Sequence, residues 1–407
     1  MRLFECEVCG QLLYFENTRC MRCGATLGYL PEANRLSALD PAEGERGVPQ
    51  GSEDQPQVGR PAEDQQMVGQ EGAGQPEVGR RAVGQLWRPR ADHDRLYRFC
   101  SNAHHEACNW LVPEDAPGVF CLACRHNRTI PDLSDPTNLL HWRKIEEAKR
   151  RAFYSFIRLG LPLTNRVEDP ENGLAFDFLA DPPAEGAPKV MTGHDNGLIT
   201  LSLAEADDAE RNRRRTEMGE PYRTLLGHFR HESGHYFWDR LVRDGGQLEA
   251  CRAVFGDDSQ DYGAALQRHY QEGPPADWQE NFVSTYATAH PWEDFAETWA
   301  HYLHIVDTLE MARAFGLGIA PRVRHGEELA AEVDFRPYEA TEIAPVMEAW
   351  VPLMAAVNSL NRCMGTPDLY PFVLSPSVVR KLAFIQALVH GTLPRTAPAP
   401  ADSSRGS

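Results

Sequence analysis

The chain contains no run of eighteen apolar residues, so its sequence announces no membrane-spanning helix. It is short of positive charge: 41 Lys and Arg stand against 59 Asp and Glu, a net charge of -18. A general nucleic-acid binder needs a basic footprint, so nucleic acid is not an expected partner. The first residues, MRLFECEVCG, lack the charged-then-apolar layout of a secretory signal and reach cysteine at once. A disulfide framework is missing as well, because eight of the ten cysteines fall in metal-ligand spacings. Together these absences lead to the expectation of a cytoplasmic protein with no membrane segment.

What is present begins with those cysteines. Cys6 and Cys9 form CEVC, Cys20 and Cys23 form CMRC, and each pair is followed by Gly. Two such knuckles can aim four thiolates at one tetrahedral zinc, so residues 1–30 read as a zinc ribbon. Thirty residues with few large apolar groups also need a staple of this kind. A second group, Cys100, Cys108, Cys121 and Cys124, has one tight knuckle and one loose half. Residues 93–130 are therefore expected to form a second four-cysteine zinc module. His104 and His105 are alternative ligands there, with surface placement the blander account. A closed four-cysteine site has no open coordination position, so these modules point to folding or to docking of a protein partner rather than to catalysis. Cys251 and Cys363 stand alone and are expected to be core thiols.

Between the cysteine groups a ten-residue repeat runs through EDQPQVGRPA, EDQQMVGQEG and AGQPEVGRRA. Each copy offers one Val and little else to bury, so residues 31–92 read as a disordered linker, and deletion of 40–90 should leave solubility and zinc content intact. The tail, 392–407, reads the same way. From 131 to 391 the pattern is globular. Trp142, Ile145, Ala148, Ala152, Phe153 and Phe156 recur at helical spacing. Strand-like runs follow at LAFDFL (174–179), KVM (189–191) and LITLSL (198–203), and helical segments run through 261–317, 342–362 and 376–390.

The stretch His231-Glu232-Ser233-Gly234-His235 carries the chemistry. Positions i and i+4 lie one turn apart on the same helix face, so His231 and His235 can share one zinc ion. Glu232 is one step round the helix, beside such a metal rather than on it, where its carboxylate can accept a proton from the hydrolytic water. Leu225, Phe229 and Tyr236 give this helix an apolar stripe. LITLSL just upstream is a candidate sheet edge on which an extended substrate could add as a strand.

A catalytic zinc needs a third protein ligand. The continuation H-E-x-x-H-x-x-G-x-x-H is ruled out, because Trp238 and Leu241 occupy its last two defined positions. The alternative is a carboxylate on a later helix, and HPWEDFAETWAHYLH supplies it. Pro291 can open that helix, Glu293 and Glu297 stand i, i+4 on one face, and Ala296 and Ala300 are small enough for close helix approach. Glu293 is the expected ligand. Glu297 is the expected acceptor for the free N–H of a ligand histidine, with their order open and Asp294 a third choice. Tyr286, seven residues before Glu293, is either a packed aromatic or a hydroxyl donor to an oxyanion.

CEVCGQLLYFENTRCMRCG, RFCSNAHHEACNWLVP, GLITL, LLGHFRHESGHYFWDRLV and HPWEDFAETWAHYLH, in that order, resemble a bacterial family of zinc-ribbon, zinc-binding metallopeptidases. The resemblance covers nearly all of the chain outside the repeat and the tail. The HESGH, Tyr and E-x-x-x-E set is also similar to that of the gluzincins. It implies that Glu293 ligates zinc, Glu297 supports the site and Tyr286 assists the transition state. The expected fold is α+β: a mainly helical, zincin-like metallopeptidase domain with a small β sheet, preceded by two zinc-ribbon-type modules. The expected activity is hydrolysis of peptide or protein substrates, with one catalytic Zn2+ and one or two structural ones. The rivals are a zinc-ribbon adaptor with an inert peptidase-like domain, and a hydrolase of non-peptide amides.

Overall fold

Short alternations of large apolar residues drive the first third of the chain into strands. The computed structural model describes residues 1–46, 84–182, 188–217, 220 and 222–393, in two units. The amino-terminal unit comprises 2–157 and 162–218. The carboxy-terminal unit comprises 219–407 with Met1 and 158–161.

In the amino-terminal unit β1 (Phe4–Glu5) and β2 (Leu12–Leu13) form a small antiparallel pair. A five-stranded antiparallel sheet follows in the order β3 (Leu27–Leu30), β4 (Arg35–Arg46), β5 (Gln85–Pro89), β6 (Tyr97–Phe99), β7 (Leu111–Pro113). Leu30, Leu39, Tyr97, Phe99, Ala103 and Leu111 form one buried cluster against it. This sheet corrects the reading of 31–92 as a linker. Arg35–Arg46 is a strand paired on both sides, and Gln85–Pro89 pairs with it, so deletion of 40–90 would remove most of two strands. The register slips after Pro41, where the missing N–H cannot extend the ladder. The repeat at 53–82 lies outside the described residues.

The two cysteine groups pack together within this unit. The Asn109 side chain donates to the Phe15 carbonyl at 2.8 Å, and the Tyr29 N–H donates to the Asn109 carbonyl at 2.9 Å. Phe15 packs edge-on against Tyr29 and Tyr154, with Trp110 beside Tyr29.

Beyond β8 (Asn127–Thr129), α1 (Pro136–Arg158) buries Trp142, Ile145, Ala148, Ala152, Phe153 and Phe156, the stripe its spacing predicts. A four-stranded mixed sheet has the order β10 (Gly193–Asp195), β11 (Leu198–Ser202), β9 (Ala175–Leu179), β8. LITLSL is thus paired on both sides and is not a sheet edge. KVM forms no strand; the Val190 N–H is taken by the Asp181 carboxylate at 2.8 Å. The charged segment after β11 forms α2 (Asp208–Glu217), which buries no side chain.

The carboxy-terminal unit is helical. α3 (Leu225–Phe237) continues into a π-helical stretch, Trp238–Arg243. After it come α4 (Leu248–Phe255), α5 (Tyr262–Glu272), α6 (Trp278–Asn281) and the long α7 (Pro291–Ala314). A two-stranded ribbon, β12 (Gly318–Ile319) with β13 (Ala331–Glu332), precedes α8 (Ile343–Cys363) and α9 (Pro376–Val389). Among the described residues α8 is the one helix long and apolar enough to cross a membrane by length and composition, a feature that a search for unbroken apolar runs overlooks. It buries Val346, Trp350, Leu353 and Met354 inside this unit. Cys251 is buried as expected, but Cys363, at the end of α8, is exposed. The tail from 394 lies outside the described residues.

Candidate metal centre

α3 starts where Thr224 caps it: the hydroxyl oxygen accepts the Gly227 N–H at 2.9 Å. Its inner face buries Phe229, Tyr236 and Phe237, with Glu232 and His235 among them. α7 starts at Pro291, and the preceding His290 caps it by accepting the Trp292 N–H at 3.1 Å. Phe295, Trp299, Tyr302 and Leu303 bury its apolar side. The two helices meet closely. Phe237 stacks on Trp299 at 5.0 Å between ring centroids. At Gly234 a Cβ would come within 2.9 Å of the Ala296 Cα. Glycine at that position in HESGH is what lets the histidines and the carboxylates of α7 share a space.

In that space Glu293 Oε2 lies 3.0 Å from His231 Nε2 and 3.5 Å from His235 Nε2. A tetrahedral zinc at about 2.0–2.1 Å from each donor requires donors about 3.3 Å apart. Glu293 Oε2 therefore already stands near metal-ligand separation from each imidazole. The donor set fits chemically as well: two neutral imidazoles and one carboxylate suit a dication. Burial disfavours the His231 cation, yet Glu293 and Glu297 hold its pKa well above the ordinary imidazole value; a bound dication would displace that proton and take the neutral ring as its ligand. Burial would likewise raise Glu293, but His235 and His231 outweigh it and hold that carboxyl well below the usual range. Glu293 itself is 1% exposed, whereas the His231 and Glu297 side chains keep 14% and 20% of their surface open.

The surrounding contacts fix orientation. His231 Nδ1 donates to Glu297 Oε1 at 2.7 Å, since a carboxylate only accepts, and Nε2 is therefore the ring nitrogen turned to the metal space. Glu297 Oε2 accepts from the Ser284 hydroxyl at 2.6 Å, and that hydroxyl oxygen accepts the Ala287 N–H at 3.1 Å. Ser284 thereby ties Glu297 to the short turn Tyr286–Thr288. The Tyr286 ring lies 5.9 Å from the His231 ring, and burial beside Glu293 raises its hydroxyl pKa. The ligating atoms of His231, His235 and Glu232 lie within 4.8 Å of one another, so Glu232 borders the metal space. Asp294 points elsewhere, to Lys381 of α9 at 2.6 Å. Burial pushes it up to about 7 despite that partner.

Three contributors carry no readable signal in the sequence. The Tyr262 hydroxyl donates to Glu293 Oε1 at 2.6 Å, the Trp292 ring lies 3.8 Å from the His235 ring, and Ser284 supports Glu297. Tyr262 is 31 residues from its partner, and no periodicity links the two. A cavity of about 360 Å³ adjoins this region, lined by Phe255, Phe282, His269, Thr288, His290 and Pro291 among others.

In the amino-terminal unit the eight paired cysteines gather as two sets of four: Cys6, Cys9, Cys20, Cys23 and Cys100, Cys108, Cys121, Cys124. The Cys6–Cys23 and Cys9–Cys20 sulfurs are 3.6 Å apart and the Cys108–Cys121 sulfurs 3.7 Å, against about 3.8 Å for zinc with four thiolates. Both sets therefore fit a closed tetrahedral zinc. The second is fully buried beside α1, where Lys149 and Arg150 provide cationic charge near the thiols. His105 lies against Trp142 instead of joining it.

A family profile described as "Putative zinc-binding metallo-peptidase" matches residues 138–388, more than half of the chain. The chain belongs to this metallo-peptidase family. A zinc-ribbon profile matches residues 3–65 and 62–135, which contain the two cysteine sets. The metal space between α3 and α7 falls inside the range matched by the metallo-peptidase family. One protein of Mycobacterium bovis and two of Mycobacterium tuberculosis, all described as uncharacterized, are each 38% identical over 400 residues, covering 98% of both chains. No solved structure matches the chain.

Proposed function

We propose that this chain is a zinc-dependent peptidase of gluzincin type on a zincin-like fold, with His231, His235 and Glu293 as ligands of the catalytic metal. What carries the reading is the approach of His231 Nε2 and His235 Nε2, from one helix, to Glu293 Oε2, from another, at 3.0 and 3.5 Å. Zinc bound there would polarise the scissile carbonyl and acidify its water ligand. Glu232 accepts the proton of the attacking water and returns it to the leaving amine. Tyr286 donates to the carbonyl oxygen as that atom gains negative charge. Glu297 holds His231 in the tautomer that leaves Nε2 free, and Ser284 holds Glu297. The cavity beside Tyr286 offers room for a substrate side chain.

The two four-cysteine sets serve as structural zinc sites, one ion each. Eight thiols gathered for metal rather than for disulfides suit a reducing, cytoplasmic setting. A protein partner would meet the chain at the first set, where Met21 is 90% exposed.

Incubation with an unstructured peptide library tests the reading. Cleavage is expected, with loss on chelation and recovery on adding zinc; the two thiolate-held ions should resist a chelator that removes the third. No cleavage by fully zinc-loaded protein would favour the adaptor alternative, and cleavage confined to non-peptide amides would favour the other.

A further inference from the structure

The two oxygens of Glu293 do different things. Oε2 faces both imidazoles, whereas Oε1 turns away and accepts the Tyr262 hydroxyl at 2.6 Å. With 1% of Glu293 exposed, bulk water cannot satisfy Oε1, and the protein has to supply the donor. Tyr262 is delivered for this purpose by the first turn of α5, whose cap Asp261 accepts the Ala264 N–H at 2.8 Å. Its ring is held edge-on by His290 at 5.4 Å and Trp292 at 5.6 Å, the residues that open the helix carrying Glu293. The donor and the carboxylate are thus fixed to each other through the start of α7.

A carboxylate with both oxygens free can chelate a metal through both. A hydrogen bond to one oxygen draws charge onto it and holds it off the ion. Resting on the reading of Glu293 as a zinc ligand, we propose that Tyr262 is a positioning residue: its hydroxyl commits Glu293 to ligation through Oε2 alone and so keeps one coordination position free for water. A second oxygen on the metal would take up that open position, on which hydrolysis depends.

Tyr262→Phe in the full chain removes the hydroxyl and keeps the ring packing. The expected result is a loss of zinc affinity at the third site of about 10–100-fold, read by chelator competition, with the two thiolate sites unchanged. With zinc on the thiolate sites and cobalt(II) placed in the third, the visible absorption should change relative to the parent, as a second carboxylate oxygen takes the position that water holds. A tyrosine that merely packs would leave affinity and spectrum alone, because the phenylalanine ring keeps the contacts to His290 and Trp292. Glu293→Ala is measured in parallel. If it loses the third ion while Tyr262→Phe keeps the parent affinity and spectrum, the positioning role is overturned and Glu293 remains a ligand. If Glu293→Ala keeps the ion, the ligand assignment itself falls, and the role of Tyr262 with it.

Discussion

Glu232→Gln is expected to lower peptide hydrolysis by roughly two to four orders of magnitude, with zinc content unchanged. The substitution keeps the shape and removes one capacity, that of accepting a proton. Glu232 sits next to His231 in sequence but one step round α3; its carboxylate comes within 4.8 Å of the same His231 and His235 nitrogens that Glu293 approaches. It is 7% exposed, which leaves no room for bulk water to take over as base. Measured by turnover of a cleaved library peptide and by zinc quantification, the variant should hold as many ions as the parent. Retained turnover would remove Glu232 as the base; a lost ion would make it a ligand instead.

Gly234→Ala should destabilise the carboxy-terminal unit and weaken the third zinc site together. In an ordinary helix interior the same change stabilises by about 0.5–1 kcal/mol, because glycine has more freedom to lose. Here the added Cβ would meet the Ala296 Cα at 2.9 Å and its Cβ and carbonyl oxygen at 3.3 Å. Backbone cannot step aside as a flexible side chain can, so α3 and α7 have to separate. Overpacking of this kind costs about 1–3 kcal/mol. Since α3 carries the imidazoles and α7 the carboxylate, the same displacement misplaces the donors, and a shift of about 1 Å can cost 10²-fold in rate. Gly263→Ala serves as a control: its Cβ would meet only Asp261 Oδ1, at 3.5 Å, and stability should hold or rise. Calorimetric melting of both variants checks the sign, and a stabilised Gly234→Ala would show that the helix contact is looser than described.

How far the sequence can be read depends on the distance over which each feature is encoded. His231 with His235, and Glu293 with Glu297, are pairs at helical spacing, and spacing alone places each pair on one face of its helix. Spacing does not decide which carboxylate faces the imidazoles, because that depends on how α3 and α7 cross; the contact of Gly234 with Ala296 governs it. Tyr262 and Ser284 escape the sequence for the same reason, since each meets its carboxylate only through tertiary packing. The least legible element is β4. RLSALDPAEGER contains Pro41 and Gly44 and looks like linker, but pairing with β3 on one side and β5 on the other overrides weak local preference. Asn109 and Tyr29 similarly join two cysteine groups that lie far apart along the chain.

The central claim is that two imidazoles of α3 and one carboxylate of α7 hold a metal. Anomalous scattering at the zinc edge from crystals of the full chain tests it most directly. The account predicts three peaks: one within each four-cysteine set, and one among His231 Nε2, His235 Nε2 and Glu293 Oε2. Two peaks confined to the cysteine sets, in crystals grown with zinc present, would contradict it.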